Sequence, residues 1–179
     1  MDDSRTTRRR SWRAMAAALS FFLLYDFSRF LSHQRAIEIL NSRVYRDGPP
    51  SRVAAFPTAG VSPFNWQGWI ERPDFLMRFN LNITEQFDPT AGRVQFKQPH
   101  VPAMDAAGQA KPVEVFLGFA QYPVWTAMPV ESPPGATEVQ VEDWRFPFGA
   151  EALVDASNRV VSSTFHYGTN VTRGSIPAK

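Results

Sequence analysis

Ionisable side chains that could do chemistry are scattered along the chain. The three histidines, His33, His100 and His166, have no second histidine or carboxylate three or four residues away, the spacing that marks a metal site on a helix. Carboxylates could pair for acid–base work, but no spacing selects two of them. The candidates are Glu71, Asp74, Glu85, Asp88 and Asp143. Cysteine, the serine-nucleophile motif and the phosphate-binding glycine motifs are all lacking. The sequence therefore predicts no catalytic residue, no cofactor and no metal ligand.

One group of charged residues, which we call the seam, gives a more specific signal. Asp26, Arg29 and His33 are spaced i, i+3 and i+7, so they share one face of a predicted helix. The seam could meet a partner helix, a lipid head group or a proton path. Alternatively, it is an interfacial ion pair that lets a short helix fit a membrane. We take the three residues as candidate partner-binding residues.

The aromatic residues allow two interpretations. Several lie close together in the sequence: Phe64, Trp66, Trp69, Phe75, Trp125, Trp144 and Phe146. They pack in the core, or some form a patch that docks a protein or lies on a membrane. On a predicted strand, Asp143 and Arg145 would face the same side. They form a local ion pair, or the arginine orients a bound group. Candidate partner-binding residues here are Trp66, Trp69, Trp144 and Arg145.

The element that must position the seam is an apolar helix. Trp12 to Leu31 is about 20 residues, just long enough to cross a bilayer if Arg13 extends to the interface. Helical character continues until Gly48-Pro49-Pro50, a strong stop signal. We therefore predict a transmembrane helix and stalk over residues 14–46.

The arginines before the helix indicate its orientation. A cleaved signal peptide would end in small residues, and the run instead ends in Tyr25-Asp26-Phe27-Ser28-Arg29. A mitochondrial presequence would have few acids, whereas Asp2 and Asp3 are present. An uncleaved anchor fits best. Its basic arm, residues 1–13, then lies in the cytoplasm against anionic lipid, and the body lies outside. We expect a single-pass protein of the bacterial inner membrane, with the C-terminal domain periplasmic. The net charge of +2 gives no support to nucleic-acid binding.

The remaining sequence predicts an α+β domain over residues 52–168, followed by a flexible tail, 169–179. Alternation and turn signals predict a largely antiparallel sheet with two short helices on one face. The predicted strands are 52–58, 66–71, 75–83, 93–97, 123–130, 137–146 and 158–167. The predicted helices are 102–110 and 112–120, the second with Pro112 in its first turn.

Several short motifs resemble a known family. They are Tyr25, His33-Gln34-Arg35-Ala36, Val53-Ala54-Ala55-Phe56-Pro57, Pro63-Phe64-Asn65-Trp66, Trp69-Ile70-Glu71, Phe119-Ala120-Gln121-Tyr122-Pro123 and Asp143-Trp144-Arg145-Phe146. Over residues 20–168 the chain resembles the C-terminal part of the membrane-bound metal-dependent hydrolase family (YdjM/YbcI type, LexA-binding inner-membrane-associated hydrolases). Members of that family have several membrane helices, and their metal ligands lie in an N-terminal multi-helix half. The resemblance implies that this chain corresponds to the part after that half. It therefore implies no catalytic residue in this chain.

These observations favour a non-catalytic accessory or scaffolding subunit of a larger membrane protein complex, whose partner is an integral membrane protein. The alternative is a metal-dependent hydrolase or its detached C-terminal module, with metal bound by other residues or by another chain. A third hypothesis is a lipid or ligand carrier that uses the aromatic patch.

Overall fold

The computed structural model describes the backbone of residues 3–58 and 60–167, and side chains from Trp12 onward. This part of the chain divides into two compact units, one up to Gln95 and one from Phe96. Each unit contains a four-stranded antiparallel sheet. The α+β class predicted from the sequence is confirmed. The side chains of the predicted basic arm before Trp12, and the predicted tail, lie outside the described residues.

Unit 1 is one long helix and a sheet in chain order. The helix α1 spans Asp3–Asn41. The strands are β1 (Arg52–Pro57), β2 (Asn65–Glu71), β3 (Phe75–Asn82) and β4 (Arg93–Phe96). The sheet order is β1-β2-β3-β4, and β2 pairs antiparallel with both β1 and β3. In that register Pro57 and Asn82 lie at the same end of the sheet as Asn65, and Arg52 lies at the other end with Glu71.

The helix ends earlier than predicted, at Asn41 rather than near Arg46. Tyr45 turns inward, is only 2% exposed, and its hydroxyl donates to the Leu40 carbonyl over 2.9 Å. Arg46 has a left-handed φ of 55°, which no helical residue can adopt. Burial of one aromatic side chain thus stops the helix before the Gly-Pro-Pro signal is reached.

The C-terminal part of α1 packs on one sheet face. Ala36 and Leu40 are fully buried in the core of unit 1. The helix lies close to the sheet because Gly68 of β2, which faces it, has no side chain. A Cβ at position 68 would be only 2.9 Å from Leu40 Cδ1. The alternation predicted for β3 is confirmed on this face, where its odd-numbered apolar side chains are buried. These are Phe75, Met77, Phe79 and Leu81.

Unit 2 places two short helices on one face of the second sheet. The helices are α2 (Pro102–Gly108) and α3 (Lys111–Leu117), each with proline in its first turn. The strands are β5 (Pro123–Pro129), β6 (Thr137–Asp143), β7 (Phe148–Val154) and β8 (Val160–Tyr167), in that order in the sheet. The core forms where the α3 residues Val113 and Phe116 are buried with Val139, Val141 and Ala150 of the sheet.

Two features of unit 2 differ from the sequence-based predictions. Strand β7 was not predicted, because Phe148–Val154 is rich in small residues and its apolar residues alternate only weakly. The strand forms because it pairs with β6 along one edge and with β8 along the other. The predicted strand 137–146 ends at Asp143, and the segment that follows is the β6–β7 turn. Asp143 causes this by accepting a hydrogen bond from the Arg145 backbone N–H over 3.0 Å, as aspartates do at turns.

Candidate functional site

The N-terminal part of α1, from Trp12 onward, carries an exposed apolar surface. Ten large hydrophobic side chains are each at least half exposed: Trp12, Met15, Leu19, Phe21, Phe22, Leu23, Leu24, Phe27, Phe30 and Leu31. The stretch Trp12–Asn41 is long and apolar enough to cross a membrane, and its most apolar 18-residue window has nothing buried inside the protein. An apolar surface of this extent is costly in water and is typical of a protein or membrane interaction site.

Arg29 sits where this apolar surface meets the sheet of unit 1. Its Cζ lies 5.9 Å from the Tyr25 ring centroid and 5.4 Å from that of Trp66, both within cation–π range. Arg29 Nη1 also donates to the Tyr25 hydroxyl over 3.2 Å. That hydroxyl in turn donates to the Val61 carbonyl over 2.8 Å. Arg29 thus joins the helix to the sheet, and Tyr25 joins the helix to the loop before β2.

His33 extends the same junction one turn further along α1. Its Nε2 lies 3.2 Å from the Ala55 carbonyl oxygen, and its ring centroid lies 5.1 Å from that of Trp66. Trp66 is 4% exposed, and its indole N–H donates to the Pro63 carbonyl over 3.0 Å. Two members of the predicted seam, Arg29 and His33, therefore pack against the protein's own sheet, together with the predicted Trp66. The third member, Asp26, is exposed.

Trp69 lies on the other face of the same sheet. It is fully buried, and its indole N–H donates to Gln67 Oε1 over 3.1 Å. The Arg78 guanidinium carbon lies 5.6 Å from the ring centroid of Trp69, and Phe56 makes an edge contact with it. The core-packing interpretation therefore describes both Trp66 and Trp69.

The predicted pair of Asp143 and Arg145 is a local, two-pronged ion pair. Arg145 Nη2 donates to Asp143 Oδ2 over 2.7 Å, and Arg145 Nε donates to Oδ1 over 2.9 Å. The third group of the fork, Nη1, donates to Gln121 Oε1 over 2.9 Å. The geometry matches the local ion pair rather than an arginine with its fork open to a ligand.

This pair ties the β6–β7 turn to the residues before β5. Asp143 Oδ2 also accepts from the Gln121 backbone N–H over 2.8 Å, and the Trp144 N–H donates to the Tyr122 carbonyl over 3.0 Å. Trp144 is partly buried. Burial of Asp143 acts to raise the pKa of its carboxyl, but the hydrogen bonds and charge of Arg145 and the Gln121 N–H outweigh it. The pKa of Asp143 is therefore below its usual value.

Sequence reasoning missed one buried pair, Glu142 and His166. The register of β6, β7 and β8 places Glu142, Gly149 and His166 side by side. His166 Nε2 lies 3.7 Å from Glu142 Oε1, and their side chains are 10% and 6% exposed. Gly149 makes the approach feasible, because a Cβ there would be 2.7 Å from His166 Nε2 and 2.3 Å from the Val141 carbonyl oxygen. Without β7 in the predicted topology, nothing in the sequence joins the two residues.

The remaining histidine, His100, forms an exposed pair with Asp105, at 3.0 Å from Nε2 to Oδ1. Within residues 12–58 and 60–167, no group of three or more histidine, aspartate or glutamate side chains is arranged to hold a metal ion.

No family model matches the sequence, and comparisons with curated proteins and with solved structures give no significant match. The resemblance to the membrane-bound hydrolase family therefore stays a prediction.

Proposed function

We propose that the protein is a single-span, membrane-anchored and non-catalytic accessory or scaffolding subunit of a larger membrane protein complex. Its two folded units lie on the periplasmic side of the bacterial inner membrane. The observation that carries the proposal is the continuity of α1. One unbroken helix is exposed and apolar in its N-terminal part, yet fully buried at Ala36 and Leu40 in the core of unit 1.

Continuity of this kind makes the anchor rigid. Ser32 and the residues that follow it on α1 belong to the folded unit, so no flexible linker separates the span from unit 1. The junction of Arg29, Tyr25 and Trp66 fixes the rotation of the helix against the sheet. A rigid anchor suits a subunit that holds its domain at a defined height and angle beside a partner, whereas a simple tether needs no such packing.

The orientation follows from the charges that flank the span. Five arginines lie within the first 13 residues: Arg5, Arg8, Arg9, Arg10 and Arg13. Positive residues close to a span are retained in the cytoplasm, where they also meet anionic lipid. The C-terminal units then lie outside.

Asp26 is the side chain that best fits a protein partner in the membrane. It is exposed on α1 between the exposed Leu24 and Phe27, whereas Arg29 and His33 of the same seam face the sheet. At the membrane interface, a carboxylate flanked by apolar side chains is stabilised when a cationic or hydrogen-bonding group pairs with it. A cationic or hydrogen-bonding side chain on an integral membrane partner would supply that group.

Purification from native membranes in mild detergent tests this function. We expect a stoichiometric integral membrane protein to co-purify with the full chain. Asp26→Asn should reduce its recovery several-fold, and Asp47→Asn, an exposed carboxylate beyond the end of α1, should leave it unchanged. A lone monomer would contradict the proposal.

Metal analysis of the same preparation tests the proposal that the protein is non-catalytic. The proposal expects no stoichiometric transition metal. Zinc or manganese at one equivalent, lost on substitution of His100 or His166, would instead support the metal-dependent hydrolase.

A further inference from the structure

We propose that residues 60–64 of unit 1 form a second membrane contact, a foot that enters the interfacial layer of the same bilayer that α1 crosses. Val61 and Phe64 are the side chains that enter it. The inference rests on the proposed function in one respect, that α1 is a membrane span. It adds a lipid-binding surface on the folded unit, which the span alone does not require.

The height of the foot is fixed by its hydrogen bond to α1. Tyr25 donates to the Val61 carbonyl over 2.8 Å, so the loop lies level with Tyr25. The next contacts of the helix with the sheet end are through Arg29 and His33, further from the membrane centre. The loop therefore projects past the end of the sheet toward the bilayer.

The apolar surface of the helix continues beyond this level. Phe27, Phe30 and Leu31 are each more than half exposed, and all three follow Tyr25 in the chain. Phe27 lies two residues past Tyr25, about 3 Å along the helix axis. A membrane whose interfacial layer covers Phe27 must also reach the loop, which lies slightly closer to its centre.

The composition of the foot suits this position. Residues 60–64 read Gly-Val-Ser-Pro-Phe and carry no charge. Val61 is 82% exposed and Phe64 is 45% exposed, so a large part of each apolar side chain is uncovered by the protein. In water this exposure has no benefit, whereas at a bilayer surface each apolar side chain gains contact with lipid.

Four backbone groups of the foot are hydrogen-bonded within the protein. The Val61 carbonyl accepts from Tyr25, the Pro63 carbonyl accepts from the Trp66 indole, and the Phe64 carbonyl accepts from the Ile83 N–H over 3.1 Å. The Phe64 N–H donates to the Ser62 hydroxyl over 3.3 Å. A loop that enters lipid must satisfy its backbone groups internally, because unpaired groups are costly there.

Asp26 limits how deeply the foot can enter the bilayer. This exposed carboxylate is adjacent to Tyr25 in the sequence and so lies at nearly the same height as the foot. The Arg29 guanidinium lies one turn further along the helix, over the rings of Tyr25 and Trp66. Charged and aromatic groups together are typical of the head-group layer. The foot therefore reaches the interface and not the hydrocarbon core.

Site-directed spin labelling of the full chain tests the foot. The sequence has no cysteine, so single-cysteine variants carry one label each. Val61→Cys reports on the foot and Leu19→Cys on the centre of the span. Asp74→Cys is the control, exposed in the turn between β2 and β3 at the opposite end of the sheet, about 20 Å away along β2. Each variant is reconstituted in vesicles of phosphatidylethanolamine and phosphatidylglycerol, and collisions with oxygen and with a water-soluble nickel chelate are compared.

We expect the ratio of oxygen to nickel collisions to be highest at Leu19, several-fold lower at Val61, and lowest by a further several-fold at Asp74. A label at Val61 that behaves like the label at Asp74, while Leu19 remains inside the bilayer, overturns the foot and leaves the span intact. A water-accessible label at Leu19 overturns both the span and the foot.

Discussion

Replacing Leu19 and Leu23 with arginine should release the protein from the membrane. Both leucines are about 60% exposed near the middle of the apolar stretch. Arginine at the centre of a membrane helix costs about 2.5–3.5 kcal/mol, and leucine contributes about 0.3–0.6 kcal/mol in favour of insertion. The double substitution should therefore disfavour the span by about 6–8 kcal/mol. The measurement is the fraction of protein that stays with the membrane after an alkaline wash.

The matched control is the double substitution of Leu19 and Leu23 with valine, which keeps the apolar surface and should stay membrane-bound. Neither leucine is buried in the protein. The arginine variant should therefore keep both units folded and appear in the soluble fraction. If the arginine variant resists the alkaline wash as the wild type does, α1 does not hold the protein in the membrane.

Asp143→Asn should destabilise unit 2 strongly. Asp143 is 2% exposed and accepts two hydrogen bonds from the Arg145 side chain. Removing one partner of a buried ion pair costs about 3–5 kcal/mol, because the other charge is left without compensation. We expect a loss of about 3 kcal/mol, at the lower end, since the Arg145 side chain remains 15% exposed. Thermal unfolding in mild detergent measures the loss.

The Asp143–Arg145 pair should also make the stability of the folded protein depend on pH in the acidic range. The pKa of Asp143 is lowered in the folded protein, so its contribution is complete above the ordinary carboxyl pKa of about 3.9 in the unfolded chain. The contribution is lost as the pH falls from that value through the lowered folded pKa. Over this acidic range the wild type should lose stability more steeply than Asp143→Asn.

Asp155→Asn is the matched control for Asp143→Asn. Asp155 also accepts from a nearby arginine, with 3.2 Å between Arg159 Nε and Oδ2, but the Arg159 side chain is 79% exposed. Water screens such a pair, so its loss should be much smaller. Equal losses at the two sites would contradict the role assigned to Asp143.

Local signals in the sequence were sufficient to predict most of the elements. Strand β3 was recognisable because its apolar residues alternate strongly, and α3 because proline opens it. Strand β7 was not recognisable, since its pairing with β6 and β8, rather than its own composition, makes it a strand. The end of α1 depends on the burial of Tyr45, which is a tertiary contact that local patterns do not encode.

The candidate sites were less predictable than the fold. Spacing correctly placed Arg29 and His33 on one helix face, but not the sheet that they pack against. Trp66 and the Val61 loop approach that face only because β2 and the loop before it return to the helix. The approach of Glu142 to His166 depends on the register of three strands and on Gly149 between them.

Labelling of single cysteines with a membrane-impermeant maleimide tests the central claim most directly, because the chain has no cysteine of its own. Thr7→Cys lies before the span and Asp74→Cys lies in unit 1. In intact bacterial spheroplasts, which expose the periplasmic face of the inner membrane, we predict that the cysteine at position 74 is labelled. The cysteine at position 7 should be labelled only after permeabilisation. Labelling of both positions, or of position 7 alone, in intact spheroplasts would contradict a single span with its folded units on the periplasmic side.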